Sequence, residues 1–183
     1  MDGSRKLWGM FQSELNDETC ESIIDSAKEC PEEEGTTFSN ADNYRKSQIR
    51  WIKDDLLSGH LMKYVESVNS AFFGFDLFNG VNEIQYTEYS AEDNGFFKPH
   101  HDVLWTSEKM CDRKISMTVQ LSDPDEYEGG EFVFNEAPNP DADELKKKGT
   151  ILVFPSFLLH EVTPVTKGLR KSLVMFVYGP RWR

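Results

Sequence analysis

From residue 81 onward the chain alternates apolar and polar side chains with a period of two, and no other feature constrains its fold as strongly. Ile84, Tyr86 and Glu88 alternate with Gln85, Thr87 and Tyr89, and Ile115, Met117, Val119 and Leu121 alternate with Ser116, Thr118 and Gln120. Phe132 and Phe134 follow a Gly129-Gly130 turn, and residues 150–154 and 172–178 supply two further runs. Neighbouring side chains of a strand point to opposite faces, so each run presents one apolar face to a core. Many short strands separated by Gly, Pro and Asp turns predict an antiparallel sandwich or barrel.

The first third reads differently. Asn16 is placed to cap a helix in which Cys20, Ile23, Ile24 and Ala27 follow an i, i+3, i+4, i+7 spacing, with Asp17 and Glu18 in the first turn and Pro31 beyond its end. A second helix is predicted from Asp54 to Phe73, with Leu57, Leu61, Tyr64, Val65, Val68 and Phe72 on one stripe and Gly74 after it. Both stripes need a surface to cover, and a sheet supplies one. The expected organisation is therefore a single domain over residues 1–183, a mainly β fold with a helical support region at 1–80 and a β core at 81–183. Residues 135–148, with two prolines and three consecutive lysines, read as an exposed loop.

Composition narrows the classes of function. A formal net charge of -12 disfavours nucleic acid, whose binding depends on Lys and Arg neutralising phosphates. The acidic clusters Glu32-Glu33-Glu34 and 123–128 read as solvated loops. No run of about 18 apolar residues and no basic start leading into an apolar segment is present, so neither a membrane span nor a secretory signal is expected. Cys20, Cys30 and Cys111 are odd in number and lack Cys-x-x-Cys spacing, which predicts reduced thiols in a cytoplasm.

The chemistry concentrates in the histidines. His100 and Asp102, at i and i+2, would share one face of a strand and grip a metal together, while His101 faces away to pack or meet substrate. A lone His-x-Asp is more often a hydrogen-bonded surface pair. Here three of the four histidines fit one pattern, because His160 offers a distant third ligand and Arg170 follows it by ten residues. The remaining one, His60, reads as an ordinary helix residue. Two imidazoles and a carboxylate, with the rest of the coordination sphere open, suit non-haem Fe(II) oxygen chemistry, although the same set with water also suits zinc.

The order of these residues, the Phe154-Pro155-Ser156 segment before His160 and the Arg170-Lys171-Ser172 triplet resemble the Fe(II)/2-oxoglutarate dioxygenases, and among them the prolyl 4-hydroxylase-like, PKHD-type hydroxylases. The resemblance spans roughly residues 84–178. It implies a double-stranded β-helix, a jelly roll of the cupin kind, with the helices on its larger sheet. It implies Fe(II) on His100, Asp102 and His160, and 2-oxoglutarate as cosubstrate. Arg170 would hold the C5 carboxylate of 2-oxoglutarate by two parallel hydrogen bonds, with Ser172 on the same strand face. Related halogenases carry a small residue at the position of Asp102, so the aspartate favours hydroxylation.

Where many prolyl hydroxylases have a cosubstrate-binding Tyr, this chain has Phe97, and Tyr86, Tyr89, Thr118 or Ser172 would have to replace its hydroxyl. Residues 44–51 resemble a segment beside the substrate groove. Arg50 and Trp51 are thus either substrate contacts or part of an edge strand with solvated charges. Trp105, His101 and Tyr89 are candidates for lining the site. The turn at Glu128-Gly129-Gly130-Glu131 resembles the family's Gly-Gly-Glu turn, and Glu131 is assigned no catalytic role.

The reaction implied is hydroxylation of a C–H bond, best matched by a peptidyl proline, with O2 consumed, succinate and CO2 released, and ascorbate as reductant. A free amino acid or another small molecule is the alternative within the enzyme class. A zinc hydrolase and a non-catalytic metal-binding jelly roll are the readings outside it. The oligomeric state is left open.

Overall fold

Strand alternation on this chain resolves into two antiparallel sheets, as seen in a computed structural model that describes residues 6–35, 43–80, 82–105 and 108–182. Val81, at the predicted boundary, lies outside the described residues. In chain order the elements begin with β1 (Gly9–Phe11), α1 (Asp17–Lys28), β2 (Glu33–Glu34), β3 (Arg45–Lys46), β4 (Gln48–Ile52) and α2 (Asp55–Val68). They continue with β5 (Asn82–Ser90), β6 (Phe96–His100), β7 (Cys111–Gln120), β8 (Tyr127–Gly129) and β9 (Phe132–Phe134). Last come α3 (Ala142–Lys146), β10 (Ile151–Pro155), β11 (His160–Val162) and β12 (Val165–Pro180). The larger sheet runs β1-β10-β7-β12-β5-β4-β2, with β8 paired to the start of β12, and the smaller runs β3-β6-β11-β9. This is the predicted jelly roll, with the site between the sheets.

The faces of the larger sheet divide as the alternation requires. Ile115, Met117 and Val119 of β7 and Leu173, Met175 and Val177 of β12 join Ile23, Ile24 and Ala27 of α1 and Leu61, Val65 and Val68 of α2 in the main core. Each fully buried Ile, Leu or Val contributes roughly 1.5–3 kcal/mol. Packing of that size, more than helix propensity, holds a helix of 12 residues, since isolated helices this short are marginal in water. The Asn16 side chain accepts from Thr19 N at 2.9 Å, and Asp54 caps α2 in the same way. On the other face, Ser116, Thr118 and Gln120 look toward the smaller sheet although they too are buried.

Three expectations are corrected. The amino-terminal region is more than helical support, because β1 and β4 lie within the larger sheet, paired to β10 and β5. Strands of three and five residues carry too little period to be read from sequence. The second helix is α-helical only to Val68, and Asn69–Phe73 form a π-helical turn closed by Gly74 at φ 66°. The wider turn moves Phe73 rather than Phe72 onto the core, and Phe72 is 40 % exposed. Finally, the predicted loop at 135–148 contains α3, whose Leu145 is buried beside Phe134 and Phe154.

All three cysteines are free, and Cys20 is buried under α1, where burial pushes its thiol up to about 11. Native protein titrated at pH 8 with a thiol reagent is expected to label Cys30 and Cys111 and to spare Cys20 until denaturant is added. Rapid labelling of three thiols without denaturant would contradict the packing of α1.

Candidate metal centre and cosubstrate pocket

His100 closes β6 and His160 opens β11, and the two are register partners across the smaller sheet. Their ring centroids are 4.3 Å apart. Asp102 is not on a strand, contrary to the i, i+2 reading. It lies in the loop after β6, and its side chain returns to the histidines because the Asp102 and Val103 amides both donate to Ser156 O, at 2.9 and 3.2 Å. Asp102 Oδ1 is then 3.6 Å from His100 Nε2, and Oδ2 is 3.6 Å from His160 Nε2. These three form the one group of side chains among the described residues that could hold a metal ion, their donor atoms all within 4.8 Å of one another.

The surroundings hold each donor in its binding form. His100 Nδ1 and His160 Nδ1 each sit 2.8 Å from the carbonyl two residues upstream, Lys98 O and Leu158 O. A proton on Nδ1 donating there leaves the Nε2 lone pair directed at the centre. Burial pushes the His160 imidazolium down to about 4, so the ring is neutral at physiological pH. Burial would raise the Asp102 carboxyl, but His160, His100 and the Ser116 hydroxyl outweigh it and hold the group well below the usual carboxylate range. Ser116 Oγ donates to Asp102 Oδ2 at 2.6 Å and lies 2.9 Å from Ser156 Oγ. Phe97 stacks flat on the His100 ring, centroids 3.4 Å apart, and Phe132 and Phe154 flank His160.

A cavity of about 750 Å³ joins this centre to Arg170. Arg170 is only 2 % exposed, with Nη2 donating to Gln120 Oε1 at 3.0 Å, Nη1 at 3.5 Å from Ser172 Oγ and the Tyr89 ring 5.6 Å away. Among the described residues no carboxylate lies within ion-pair distance of it. Burying a cation without a counter-charge costs several kcal/mol, so the site calls for an anionic ligand at this depth. The His/Asp/His donors and this guanidinium together fit Fe(II) with 2-oxoglutarate.

Of the other residues singled out from sequence, Ser172, Tyr89, Thr118, Trp51, Trp105 and His101 all line the cavity. Trp105 is 62 % exposed at its mouth, and His101 Nδ1 is 2.7 Å from Phe157 O. Arg50 is not a lining residue. It alternates with Trp51 on β4, faces α1 and donates to Cys30 O at 2.8 Å and to Glu32. Tyr86 is also on the wrong face, its hydroxyl donating to Glu88 at 2.7 Å. That leaves Tyr89 and Ser172 beside Arg170, and Thr118 farther along the cavity wall in register with Val174, as hydroxyls able to replace the one missing at Phe97. Ser116, Gln120 and Arg113 were not anticipated, and Arg45 and Gly130, although inside the 44–51 segment and the Gly-Gly turn, were given no role of their own. The signal for Ser116 and Gln120 was present: a polar row on a strand that is buried on both faces.

Gly130, at φ 60°, lies against Arg170, and a Cβ there would come within 2.9 Å of Arg170 Cδ and 2.8 Å of Val165 Cγ2. Gly130→Ala is therefore expected to displace the guanidinium and raise the 2-oxoglutarate requirement about ten- to a hundredfold, since misplacement by an ångström is worth that much. Iron affinity should be unchanged; an equal loss of iron affinity would mean general damage to the fold.

Three side chains able to hold a metal ion, seated between the sheets of a jelly roll in one cavity with a buried arginine, are the arrangement expected of a non-haem metal oxygenase. The sequence profile of the 2OG-Fe(II) oxygenase superfamily matches residues 84–178, and the chain belongs to that family. A PKHD-type hydroxylase of Nitrosomonas europaea is 35% identical over 115 residues, 60% of this chain and 49% of that protein. One from Shewanella sp. is 40% identical over 92 residues, 50% of this chain and 41% of that one. The chain thus spans about half the length of the curated relatives it matches. The fold is similar to that of the viral collagen prolyl hydroxylase of Paramecium Bursaria Chlorella virus-1 in its 2OG complex, with TM-score 0.73, 21% identity and coverage of 97% and 98% of the two chains. A Pseudomonas putida prolyl-4-hydroxylase superposes with TM-score 0.68 at 19% identity, covering 96% of this chain and 93% of that one. No helix among the described residues is long and apolar enough to cross a membrane.

Proposed function

We propose that the protein is an Fe(II)- and 2-oxoglutarate-dependent hydroxylase acting on a C–H bond of a prolyl group, most simply within a peptide, in a cytoplasm. The observation that carries this reading is the buried Arg170 guanidinium, without a carboxylate partner and in the same cavity as His100, Asp102 and His160. A zinc hydrolase would use the three ligands but leave that guanidinium with nothing to bind. The PKHD-type relatives and the prolyl hydroxylases of the same fold support the substrate class by analogy.

Bound iron and 2-oxoglutarate supply the oxidising chemistry, with O2 consumed, succinate and CO2 released and ascorbate maintaining the metal in its reduced state. The chain contributes position and exclusion of water. His100 and His160 would give Nε2 lone pairs and Asp102 a carboxylate oxygen to the metal, and Arg170 and Trp51 line the same cavity. Arg170, with Ser172 and Tyr89, would fix the far end of the cosubstrate. Phe97, Phe132 and Phe154 keep the imidazoles dry and in fixed planes.

Anaerobic titration of the metal-free protein with Fe(II) and 2-oxoglutarate tests this. The expected result is a weak visible charge-transfer band that needs both components, followed by succinate formation when air and a prolyl peptide are admitted. Binding of zinc with no band and no succinate would move the hydrolase forward. A free amino acid as substrate is the second reading, favoured by another guanidinium in the cavity, that of Arg45.

A further inference from the structure

We infer that the substrate carries a carboxylate and that Arg45 receives it. This rests on the oxygenase reading and specifies the substrate that the reading leaves open. Arg45 sits on β3 at the cavity wall, with its guanidinium lying 4.6 Å over the Phe97 ring, which also stacks on His100. Its Nε donates to Ser47 Oγ at 2.7 Å and its Nη2 to Gln85 Oε1 at 2.9 Å. Gln85 Oε1 also lies 3.2 Å from the Thr87 hydroxyl, so the amide is held with its oxygen toward the arginine. Every partner of Arg45 is neutral, and Nη1 has none among the described residues.

The other charges of the cavity wall do not neutralise it. Arg113 is paired with Glu83 Oε2 at 2.8 Å. Asp102 belongs to the metal centre. Glu33 also lines the cavity but is exposed and forms no ion pair with Arg45. The net charge of -12 has little bearing on this position, because at physiological salt fields from distant surface carboxylates are screened over about 8 Å.

Arg45 and Arg170 serve different ligands because the residues of β5 that they meet, Gln85 and Tyr89, lie at different places along that strand. Arg170 is in register with Tyr89, whereas Gln85, which holds Arg45, is in register with Val174 and Trp51. Four residues of strand separate these points by about 13 Å. One anion receptor lies beyond the metal for the cosubstrate, and the other lies near Trp51, where substrate would enter. A planar guanidinium, already oriented by two neutral acceptors and an aromatic face, is suited to accept a carboxylate. On a prolyl substrate that carboxylate is either the α-carboxylate of free proline or an acidic side chain beside the proline of a peptide.

The experiment is calorimetric titration of the anaerobic protein loaded with Fe(II) and 2-oxoglutarate, loading being verified by the visible band. The probes are two matched pairs, L-proline with L-prolinamide and a Gly-Glu-Pro-Gly peptide with its Gly-Gln-Pro-Gly counterpart, both peptides blocked at their termini. The carboxylate-bearing member of at least one pair is expected to bind tenfold or more tightly, and which pair responds distinguishes the free amino acid from the peptide. In Arg45→Gln the preference should vanish with 2-oxoglutarate affinity retained, and in Arg45→Lys part of it should return, which a purely structural role would not produce. No preference in either pair, no binding of either carboxylate-bearing probe, or a preference that survives Arg45→Gln overturns the inference while leaving the oxygenase reading intact. Failure of the loading band itself removes that reading and this one with it.

Discussion

Asp102→Asn protein is expected to fold normally and to lose more than a hundredfold in Fe(II) affinity, with 2-oxoglutarate turnover falling below detection. Asp102 is the one anionic donor of the centre, and it stands 3.6 Å from both imidazoles. An amide keeps its size and its bond with Ser116 but supplies no charge to offset that of the metal. Ser116→Ala gives the internal scale, because removing a partner that orients a ligand typically costs about ten- to a hundredfold in metal affinity. The larger loss should therefore belong to Asp102→Asn and the smaller to Ser116→Ala, both read by anaerobic metal titration. Comparable losses in the two variants would mean that the carboxylate orients the histidines and is not itself a ligand.

Arg170→Met should divide binding from stability. Two hydrogen bonds to a charged group, at roughly 1.5–3 kcal/mol each, correspond to a rise in the 2-oxoglutarate dissociation constant of about two to four orders of magnitude. Iron affinity, measured without cosubstrate, should stay near that of the parent. The metal-free Met variant should melt no lower than the parent, in contrast to most substitutions of a side chain as buried as this one. The reason is that replacing an uncompensated buried charge with an apolar side chain of similar volume is often neutral or stabilising by about 1–4 kcal/mol. Leaving Gln120 Oε1 without its donor offsets about 1–3 kcal/mol of that. A drop of several degrees in melting temperature, with 2-oxoglutarate affinity retained, would make Arg170 a structural residue and sink its assignment as cosubstrate receptor.

Much of the site could be read from the chain because its parts are carried by residue types with few other uses in a strand. A histidine with an aspartate two residues on, a second histidine after Phe154-Pro155-Ser156 and an arginine ten residues later form a pattern that accident seldom supplies. The apolar face of the larger sheet and the stripe of α1 were legible for a related reason, since burial imposes period two on strands and near-fourfold spacing on helices. What failed was short or irregular. Strands β1 and β4 are held by pairing with longer neighbours and not by their own pattern. The π-helical turn at Asn69–Phe73 shifts a stripe by one residue without leaving a sign in composition.

The sequence by itself thus determined the fold class and singled out the three side chains that the fold brings together and the arginine it buries in the same cavity, because each depends on side-chain chemistry and local periodicity. Only the tertiary structure decided which of Arg50 and Trp51 meets the cavity, which hydroxyls stand near Arg170, and that Arg45 lacks a counter-charge. It also decided how Asp102 reaches the metal centre, through backbone hydrogen bonds to Ser156 and not through strand alternation. These outcomes depend on what lies across from a residue on a strand far away in the chain. Such pairing is fixed by register and by the closing of one sheet over the other, and no local run of residues encodes it.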